Sequence, residues 1–388
     1  MIIENYPVLT NEELDVAINN AVNQVRSCLK DYTYMFKYPN SVNNFYPLMD
    51  NTEWTNGFWT GEIWLAYELT KDEAFKEAGL KHVDSYYDRI INNIMCEHHD
   101  LGFLYSPSCV AAYKLLNDEK AKEAAIKAAD KLITRFQPKG GFIQAWGPLN
   151  AKDNYRLIID CLLNLPLLYW ASEVTNDNKY RDIALTHIKT ALNVVIRPDY
   201  STYHTYFFDM DTGKPSHGVS HQGNRAESAW ARGQAWGVYG LAISYSYTKN
   251  PEYLELFRHV TKYFLDHLPT DLVPYWDFDF TDGSTEPKDS SASAICACGM
   301  LEMAKYVEEN EAKELIANAS RLIKALVDNC SVSDPAISNG QILHGTYCRS
   351  TPTNGCRQHG VDECTSWGDY YYFEALMRLK NFNWNMYW

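Results

Sequence analysis

The sequence has little positive charge and no long apolar run. Its 35 lysine and arginine residues are outnumbered by 49 aspartate and glutamate residues, which leaves a net charge of −14. Nucleic acids and anionic membranes attract proteins through a positive field, so we expect neither as a partner. The longest apolar stretch, residues 157–171, is interrupted by Asp160, Asn164 and Pro166 and is too short to span a bilayer. The first residues lack the basic and apolar regions of a secretory signal, so we expect a cytoplasmic protein.

Other signals are missing as well. The ten cysteines are scattered without a compact framework or paired CxxC motifs, so we expect reduced, mostly buried thiols and no zinc site. His98 and His99 are adjacent, but no second ligand motif accompanies them, and no glycine-rich loop suits a phosphate. We therefore expect neither a metal nor a cofactor. No linker rich in proline, serine or glycine divides the chain, which favours one domain over residues 1–388.

Aromatic side chains, in contrast, are abundant. They make up 14% of the chain, with 28 tyrosines and 11 tryptophans. Because both residue types join an apolar ring to a polar group, they suit surfaces as well as cores. A cleft that binds carbohydrate is one use for so many rings.

Helical periodicity recurs in pairs of segments joined by short charged turns. The predicted pairs are Gly57–Thr70 with Asp72–Asn93, Ser106–Leu116 with Asp118–Phe136, Tyr155–Val174 with Asn178–Val195, Glu227–Tyr247 with Pro251–His267, and Ser290–Val307 with Glu311–Val327. A lone helix is expected at each end, Asn11–Lys30 and Trp367–Leu379, and pairing these two would close a ring. The pattern predicts an all-α protein, an (α/α)6 barrel of six helical hairpins.

The two members of each pair differ in composition. First members are apolar nearly all round, as inner helices should be, whereas second members carry one apolar stripe. An open α-solenoid is the alternative that the repeat pattern leaves open. The long connections are rich in Trp, Tyr, His, Asp and Gly, and we expect them to bring functional residues together at one end of the ring. They are residues 94–105, 137–154, 196–226, 268–289 and 328–366.

Two aspartates are the candidates for acid/base chemistry. Asp160 lies among aliphatic residues near the start of a predicted inner helix, where desolvation would raise its pKa and suit it to hold a proton. The alternative is a structural role, with an ion pair to Arg156 or a hydrogen bond to Asn164. Asp100, in EHHDLGFLY, would lie near Asp160 above the ring, and paired carboxylates serve glycosidic chemistry. Asp100 could instead only cap a helix.

A second group of candidates lies in the segment 217–240. His221 and Gln222 precede Arg232 and Trp236, which are four residues apart and would share one helix face suited to a sugar that carries a carboxylate. The alternative is a buried Arg232 that pairs with Glu227 or with a neighbouring helix. Exposed indoles in the other connections suit a sugar platform, although each residue alone is more often part of a core. These further candidates are Trp54, Asn56, Trp146 and His204.

Taken together, several segments resemble the unsaturated glucuronyl hydrolases, which remove the 4,5-unsaturated uronic acid that polysaccharide lyases leave at a non-reducing end. The matching segments run in family order over nearly the whole chain: NTEWTNGFWTGEIWLAY, EHHDLGFLY, NYRLIIDCLLNLPLLYWA, TYHTYFFD, HQGNRAESAWARGQAWGVYGLA, VPYWDFDF with DSSASAICACGMLE, and DECTSWGDYYYFEAL. The resemblance implies the six-hairpin barrel that the helix count predicts independently.

The resemblance also implies residue roles and a reaction. It makes Asp160 the catalytic acid/base and Asp100 its essential neighbour. Asp160 would protonate the vinyl ether between C4 and C5, and water would add at C5, giving a hemiketal that opens and expels the remaining sugar. The implied substrate contacts are His99, His204, Gln222, Arg232 and Trp236, with Trp54, Asn56 and Trp146 at the cleft. We assign Arg232 to the substrate carboxylate because of its chemistry.

One departure from the family pattern concerns sulfate. Members that favour sulfated disaccharides resemble one another in a Ser-x-x-Ser-x-Lys arrangement near the tail and an arginine in the glutamine loop. This chain has Ser350, Thr353 and Gly355 in the first place and His221 in the second. The resemblance therefore favours unsulfated or weakly sulfated substrates of the glycosaminoglycan type, unless a cation such as Lys214 compensates.

Other functions stay open at the level of sequence. The nearest alternative is an unsaturated rhamnogalacturonyl hydrolase that acts on pectin fragments with the same chemistry. A sugar epimerase on the same barrel would rely on histidines, and a carbohydrate-binding protein would not require a carboxylate among aliphatic residues. The oligomeric state is not determined by the sequence.

Overall fold

Helices dominate the computed structural model, which describes residues 2–149 and 151–388. In chain order the α-helices are α1 Asn11–Tyr32, α2 Asn56–Thr70, α3 Glu73–Ile91, α4 Leu101–Tyr105, α5 Ala111–Leu116, α6 Glu119–Ile133, α7 Pro166–Thr175, α8 Asn178–Val195, α9 Ala231–Thr248, α10 Pro251–Asp266, α11 Ser290–Met303, α12 Glu309–Asn329 and α13 Ser366–Lys380. One π-helical turn, Ser106–Val110, joins α4 to α5, and short 3₁₀ turns occupy Ile2–Asn5, Lys152–Asn154 and Ile159–Leu163.

The helices form two concentric rings. In the inner ring, α9 packs on α11, α11 on α13, α13 on α2, α2 on α4, α4 on α7, and α7 back on α9, which closes the circle. Inner helices are buried on every side, as in α11, where all residues from Ser290 to Met303 are buried. The terminal pair also meets as predicted, since α1 packs on α13 and Lys380 Nζ lies 2.6 Å from Asp15 Oδ1. The predicted all-α barrel is confirmed, and an open solenoid is excluded.

Four of the five turns inside the hairpins share one local structure. Their inner helices end at a residue in the left-handed conformation, such as Asn117 or Asn176. The next residue, Asp118 or Asp177, accepts a backbone N–H of the following outer helix with its side chain. Asparagine tolerates the left-handed conformation and aspartate is a good N-cap, so the short charged joins in the sequence are cap signals.

Two predicted helices begin several residues later in the structure than the sequence indicates, and both differences affect the site. The predicted helix Tyr155–Val174 is instead a strand, a 3₁₀ turn and then α7, which begins at Pro166. Proline has no N–H to donate but is favoured in the first helical turn, so it begins this helix rather than continuing one. The predicted helix Glu227–Tyr247 begins only at Ala231, because Trp230 is extended.

Short antiparallel strands line the connections. They are β1 Phe36–Lys37, β2 Leu48–Met49, β3 Phe136–Gln137, β4 Phe142–Ile143, β5 Arg156–Ile158, β6 Thr205–Phe208, β7 Pro215–Val219, β8 Gly345–Cys348 and β9 His359–Glu363. Strand β6 pairs with both β5 and β7, and Ile158 lies opposite Thr205. The Ile159 N–H then donates to the His204 carbonyl at 3.0 Å. This pairing holds His204 next to the turn that carries Asp160.

A buried charged cluster fixes the N-terminal connection to the barrel. Lys37 Nζ lies 3.4 Å from Glu62 Oε2 on α2 and 3.8 Å from Asp369 Oδ2 on α13, and all three side chains are buried. Burial raises the pKa of Glu62 to about 7 even though the Lys37 charge lowers it. The ammonium group therefore compensates two carboxyl groups that are removed from water.

The cysteines partly follow the prediction of reduced, buried thiols. Eight of them are free and buried. Cys348 and Cys356, however, are paired, with Cα atoms 6.2 Å apart. The two sulfurs meet because β8 and β9 are neighbouring antiparallel strands, a contact that sequence spacing alone did not reveal. Within the described residues, no helix is long and apolar enough to cross a membrane.

Candidate active site

An open cavity of about 260 Å³ lies at the end of the barrel where the inner helices begin. This volume is close to the lower end of the range of small-molecule sites. The lining residues come from the connections before α2, α4, α7, α9 and α13, so most of the long connections converge as predicted. They are Trp54, His99, Asp100, Trp146, Ile158, Asp160, His204, His221, Gln222, Tyr347, Cys348, Cys356, Arg357 and His359.

Asp160 lies in the 3₁₀ turn that precedes α7, with its carboxyl group in the cavity wall. Its buried Oδ1 has no hydrogen-bond partner among the described residues. Asn164 donates to the backbone carbonyl of Asp160, and Arg156 donates to Asn154, so neither of the structural roles considered for this carboxylate is present. Burial raises the pKa of Asp160 to about 6, and the negative charge of Asp100 raises it further, against the opposing charges of His99 and Arg232. The carboxyl group can therefore carry a proton near neutral pH.

Asp100 is the opposite kind of carboxylate. It occupies the N-cap position of α4, but its side chain makes no capping hydrogen bond. Instead, Oδ1 lies 3.2 Å from His99 Nε2, and Oδ2 lies 3.3 Å from His98 Nδ1. Burial opposes ionisation, but the charge of His99 and the hydrogen bonds from both histidines hold the pKa of Asp100 below its ordinary value. The same contact raises the pKa of His99 despite its burial, which favours the protonated imidazole.

A hydrogen-bonded chain forms another part of the wall. His204 Nδ1 lies 2.6 Å from Thr205 Oγ1, and its Nε2 lies 3.2 Å from Gln222 Oε1. Gln222 Nε2 in turn donates to the Tyr347 carbonyl at 3.0 Å. Burial, with the charge of His221, lowers the pKa of His204 to about 3. His204 is therefore a neutral ring that donates Nε2–H to Gln222.

Two tryptophans contribute aromatic surface to the cavity. The Trp54 indole donates to the Tyr347 hydroxyl at 2.8 Å and stacks on Trp367 with ring centroids 5.4 Å apart. The Trp146 ring carries the Arg156 guanidinium 3.6 Å above its centroid. Both rings are held by these contacts, which fixes flat apolar surfaces of the kind that sugar rings pack against.

Three predicted site residues do not line the cavity. Arg232 is 2% exposed and donates to Asp289, to the Thr346 carbonyl at 2.7 Å and to the Tyr347 carbonyl at 2.8 Å. Asn56 is a buried residue at the start of α2, where its Oδ1 accepts the Glu53 N–H at 2.8 Å. The geometry gives these two residues a supporting position, so direct substrate contact by either stays an untested prediction.

Trp236 is also buried, with its ring 5.3 Å from that of Phe103. The spacing of Arg232 and Trp236 suggested a ligand-facing stripe, but α9 is buried on all sides. Two residues that share a face of this helix therefore do not have to face the cavity. The pairing of Arg232 with Asp289 on the neighbouring connection, rather than with Glu227, matches the structural alternative in part.

Sequence reasoning missed several lining residues. Tyr347, Arg357 and His359 lie on or next to β8 and β9, inside the long connection 328–366. The Tyr347 ring packs on Trp367 at 4.9 Å and on His359 at 4.3 Å. The aromatic and charged content of this connection marked it as functional, but only the β8–β9 hairpin shows which of its residues point to the cavity.

An α/α barrel with one ionised carboxylate and one protonatable carboxyl group in a cavity lined by aromatic rings has the groups that the chemistry of a glycoside hydrolase requires. The comparison with known families agrees with this class. The chain belongs to Glycosyl Hydrolase Family 88, whose family model matches residues 30–383. The resemblance to unsaturated glucuronyl hydrolases is thereby confirmed.

Relatives match over nearly the full length of the chain. An unsaturated chondroitin disaccharide hydrolase of Streptococcus pneumoniae is 48% identical over 384 residues, which are 98% of this chain and 95% of the relative. The crystal structure of unsaturated glucuronyl hydrolase from Streptococcus agalactiae has a TM-score of 0.95 at 47% identity, covering 100% of this chain and 96% of the other. A variant of that enzyme in complex with dGlcA-GalNAc6S has a TM-score of 0.87 at 43% identity, with the same coverage.

Proposed function

We propose that the protein releases 4,5-unsaturated glucuronic acid from the non-reducing end of lyase-generated oligosaccharides of the glycosaminoglycan type. The observation that carries this proposal is the Asp160 carboxyl group, which has an unpartnered Oδ1 and a pKa raised by burial to about 6. A proton donor of this kind suits an electron-rich alkene. The full-length relatives named unsaturated chondroitin disaccharide hydrolase and unsaturated glucuronyl hydrolase support the same substrate class.

Asp160 acts first as an acid and then as a base. Its proton goes to C4 of the vinyl ether, and the positive charge that develops is shared between C5 and the ring oxygen. The resulting carboxylate takes a proton from water as the water oxygen bonds to C5. The hemiketal then opens to a ketone at C5, which leaves a hemiacetal at C1, and the hemiacetal expels the remaining sugar. With a pKa of about 6, Asp160 can serve in both protonation states near neutral pH.

The Asp100–His99 pair controls the charge around this reaction. Asp100 stays ionised beside the cavity, where its negative charge favours a proton on Asp160 and stabilises the cationic transition state. His99 carries the matching positive charge, which attracts the carboxylate of the unsaturated ring. We infer that this imidazolium has the electrostatic role that the sequence assigned to Arg232, whose guanidinium is occupied by Asp289 and two carbonyls.

A substrate panel tests the proposal. Wild type and Asp160→Asn are each incubated with unsaturated disaccharides from chondroitin, hyaluronan, heparin and rhamnogalacturonan, and the near-ultraviolet absorbance of the double bond is followed. We expect loss of absorbance with wild type on the chondroitin or hyaluronan disaccharide and at least a thousandfold slower loss with Asp160→Asn, about what an essential acid/base contributes. Turnover of only the rhamnogalacturonan disaccharide would indicate the pectin-directed relative. Absence of turnover on all four would refute hydration as the function.

We further propose a cytoplasmic location and a single domain over residues 1–388. Eight of the ten cysteines are free and buried, which supports a reducing compartment, and the pair Cys348–Cys356 is the exception. Cell fractionation tests the location. Limited proteolysis tests the domain organisation, because a chain of one domain should yield no stable fragment of half its length.

A further inference from the structure

Arg357 is a cation without a partner at the wall of the cavity. Among the described lining residues it is the only lysine or arginine, and its side chain is exposed. No ion pair or hydrogen bond of its guanidinium to another described residue is present. Arg349, in the same loop, differs in this respect, because it lies 3.1 Å from Glu286 and donates to Gln358 at 2.8 Å. The five N–H donors of Arg357 are therefore available to a ligand.

The loop that carries Arg357 is held in place on both sides. Thr351 and Thr353 donate to the Asn224 carbonyl at 2.9 Å and 2.7 Å. Asn354 donates to the Gly223 carbonyl at 3.0 Å and to the Arg349 carbonyl at 2.8 Å. A loop anchored by these contacts presents Arg357 at a fixed place, which lowers the entropy lost when a ligand binds.

The position of Arg357 in the cavity lining determines which part of a substrate it can contact. Asp160 is partly buried in the wall, whereas the Arg357 side chain is exposed to solvent. The proposed reaction places C4 of the unsaturated ring at Asp160, and the carboxylate on C5 of that ring is then near Asp160 as well. On this placement the second sugar extends toward the solvent-exposed part of the lining, so an anion that reaches Arg357 belongs to this second sugar.

The neighbouring position 355 has little room for a side chain. A Cβ atom on Gly355 would lie 2.9 Å from His221 Nδ1, so a side chain there would displace the His221 ring from the cavity. Burial and the charge of Arg156 lower the pKa of His221, so that ring adds little positive charge at neutral pH. The permanent charge on this side of the mouth comes from Arg357.

We propose that Arg357 is a specificity-determining residue that binds a sulfate ester on the second sugar of the substrate. The inference rests on the proposed function, because it uses the position of the unsaturated ring at Asp160. A guanidinium can give a sulfate two parallel charge-assisted hydrogen bonds. Arg357 would then supply the cation that the glycine at position 355 does not, and the chain would accept sulfated disaccharides by a contact of its own.

The experiment compares Arg357→Gln with Lys81→Gln. Lys81 is an exposed cation on α3 outside the cavity lining, so its variant is a matched control for loss of one positive charge. The kcat and KM of both variants and of wild type are measured on unsaturated chondroitin disaccharides without sulfate, with a 4-sulfate and with a 6-sulfate. We expect Arg357→Gln to raise KM about tenfold or more on at least one sulfated substrate, with kcat and the unsulfated substrate changed less than about twofold. Arg357→Lys should recover part of the loss, and Lys81→Gln should change nothing.

Each other outcome contradicts the inference. An equal loss on sulfated and unsulfated substrates would mean that Arg357 binds the uronate carboxylate or supports the fold. An unchanged KM on every substrate would mean that the Arg357 guanidinium contacts only water. A wild type that turns over none of the three disaccharides would refute the proposed function and the inference together, whereas turnover without a sulfate-dependent effect of Arg357→Gln refutes the inference alone.

Discussion

The charge of His99 should set the pH range of the enzyme. In wild type, Asp160 must carry a proton to start the reaction, and its pKa is raised by burial to about 6. We expect kcat/KM to be flat below pH 6 and to fall about tenfold per pH unit above it, because the protonated fraction is about a tenth at pH 7 and about a hundredth at pH 8. A group that acted only as a base would give the opposite slope.

His99→Gln should shift the descending limb of the kcat/KM profile to higher pH. The substitution removes a positive charge that lowers the pKa of Asp160. It also leaves the Asp100 anion, which raises the pKa of Asp160, without its partner at 3.2 Å. Both changes therefore raise the pKa of Asp160. Loss of one neighbouring charge shifts a pKa by about one unit or more, so the protonated fraction at pH 8 should rise about tenfold. Weaker attraction of the substrate carboxylate would lower kcat/KM at every pH without moving the limb.

The assay is the initial rate of absorbance loss from pH 5 to pH 9 at substrate concentrations well below KM. His217→Gln is the control, because His217 is an exposed histidine on β7 outside the cavity lining. Its profile should superpose on that of wild type. The reasoning is refuted if the limb of His99→Gln stays in place or moves to lower pH, or if wild-type kcat/KM rises between pH 6 and pH 8.

Two further predictions concern stability and substrate positioning. Lys37→Met should lower the free energy of unfolding by about 3 kcal/mol, because it leaves Glu62 and Asp369 buried without a cation. Both carboxyl groups have folded-state pKa values above those of the unfolded chain, so the loss of unfolding free energy should grow as pH rises from 5 to 8. Urea unfolding at the two pH values measures this loss. A loss that shrinks as pH rises would contradict the prediction. Tyr347→Phe removes the oxygen that accepts the Trp54 indole N–H and should cost about 1 kcal/mol of stability. The same variant should raise KM more than it lowers kcat; unchanged unfolding and kinetics would show that the contact is unimportant.

Residue patterns predicted the barrel because its signals are local. Helix caps such as Asp118 and Asp177 follow left-handed asparagines directly, so each hairpin turn is encoded in a few neighbouring residues. Burial of the inner helices is visible in their composition. Asp160 was also identifiable, since a carboxyl group among aliphatic residues costs free energy unless it has a purpose.

Contacts between distant segments could not be predicted in the same way. Arg232 is bound by Asp289 and by two carbonyls of β8, and nothing near Arg232 in the sequence indicates these partners. The cavity contacts of Tyr347 and Arg357 depend on the β8–β9 hairpin, whose strands are short and lack periodicity. The turn at Asp160 was assigned to a helix because its apolar residues continue into α7 without a break in hydrophobicity. Only Pro166 marks the true start of that helix.

Trapping of the reaction by methanol tests most directly whether Asp160 delivers its proton to C4 so that solvent adds at C5. Methanol that competes with water would add at C5 and give a methyl ketal, which has no hydroxyl at C5 and so cannot open. The account predicts that wild type in dilute methanol forms a disaccharide that is heavier by one methanol, with its glycosidic bond intact, and that Asp160→Asn does not form it. A methyl glycoside at C1 together with free second sugar would show direct attack at the anomeric carbon and would contradict the account.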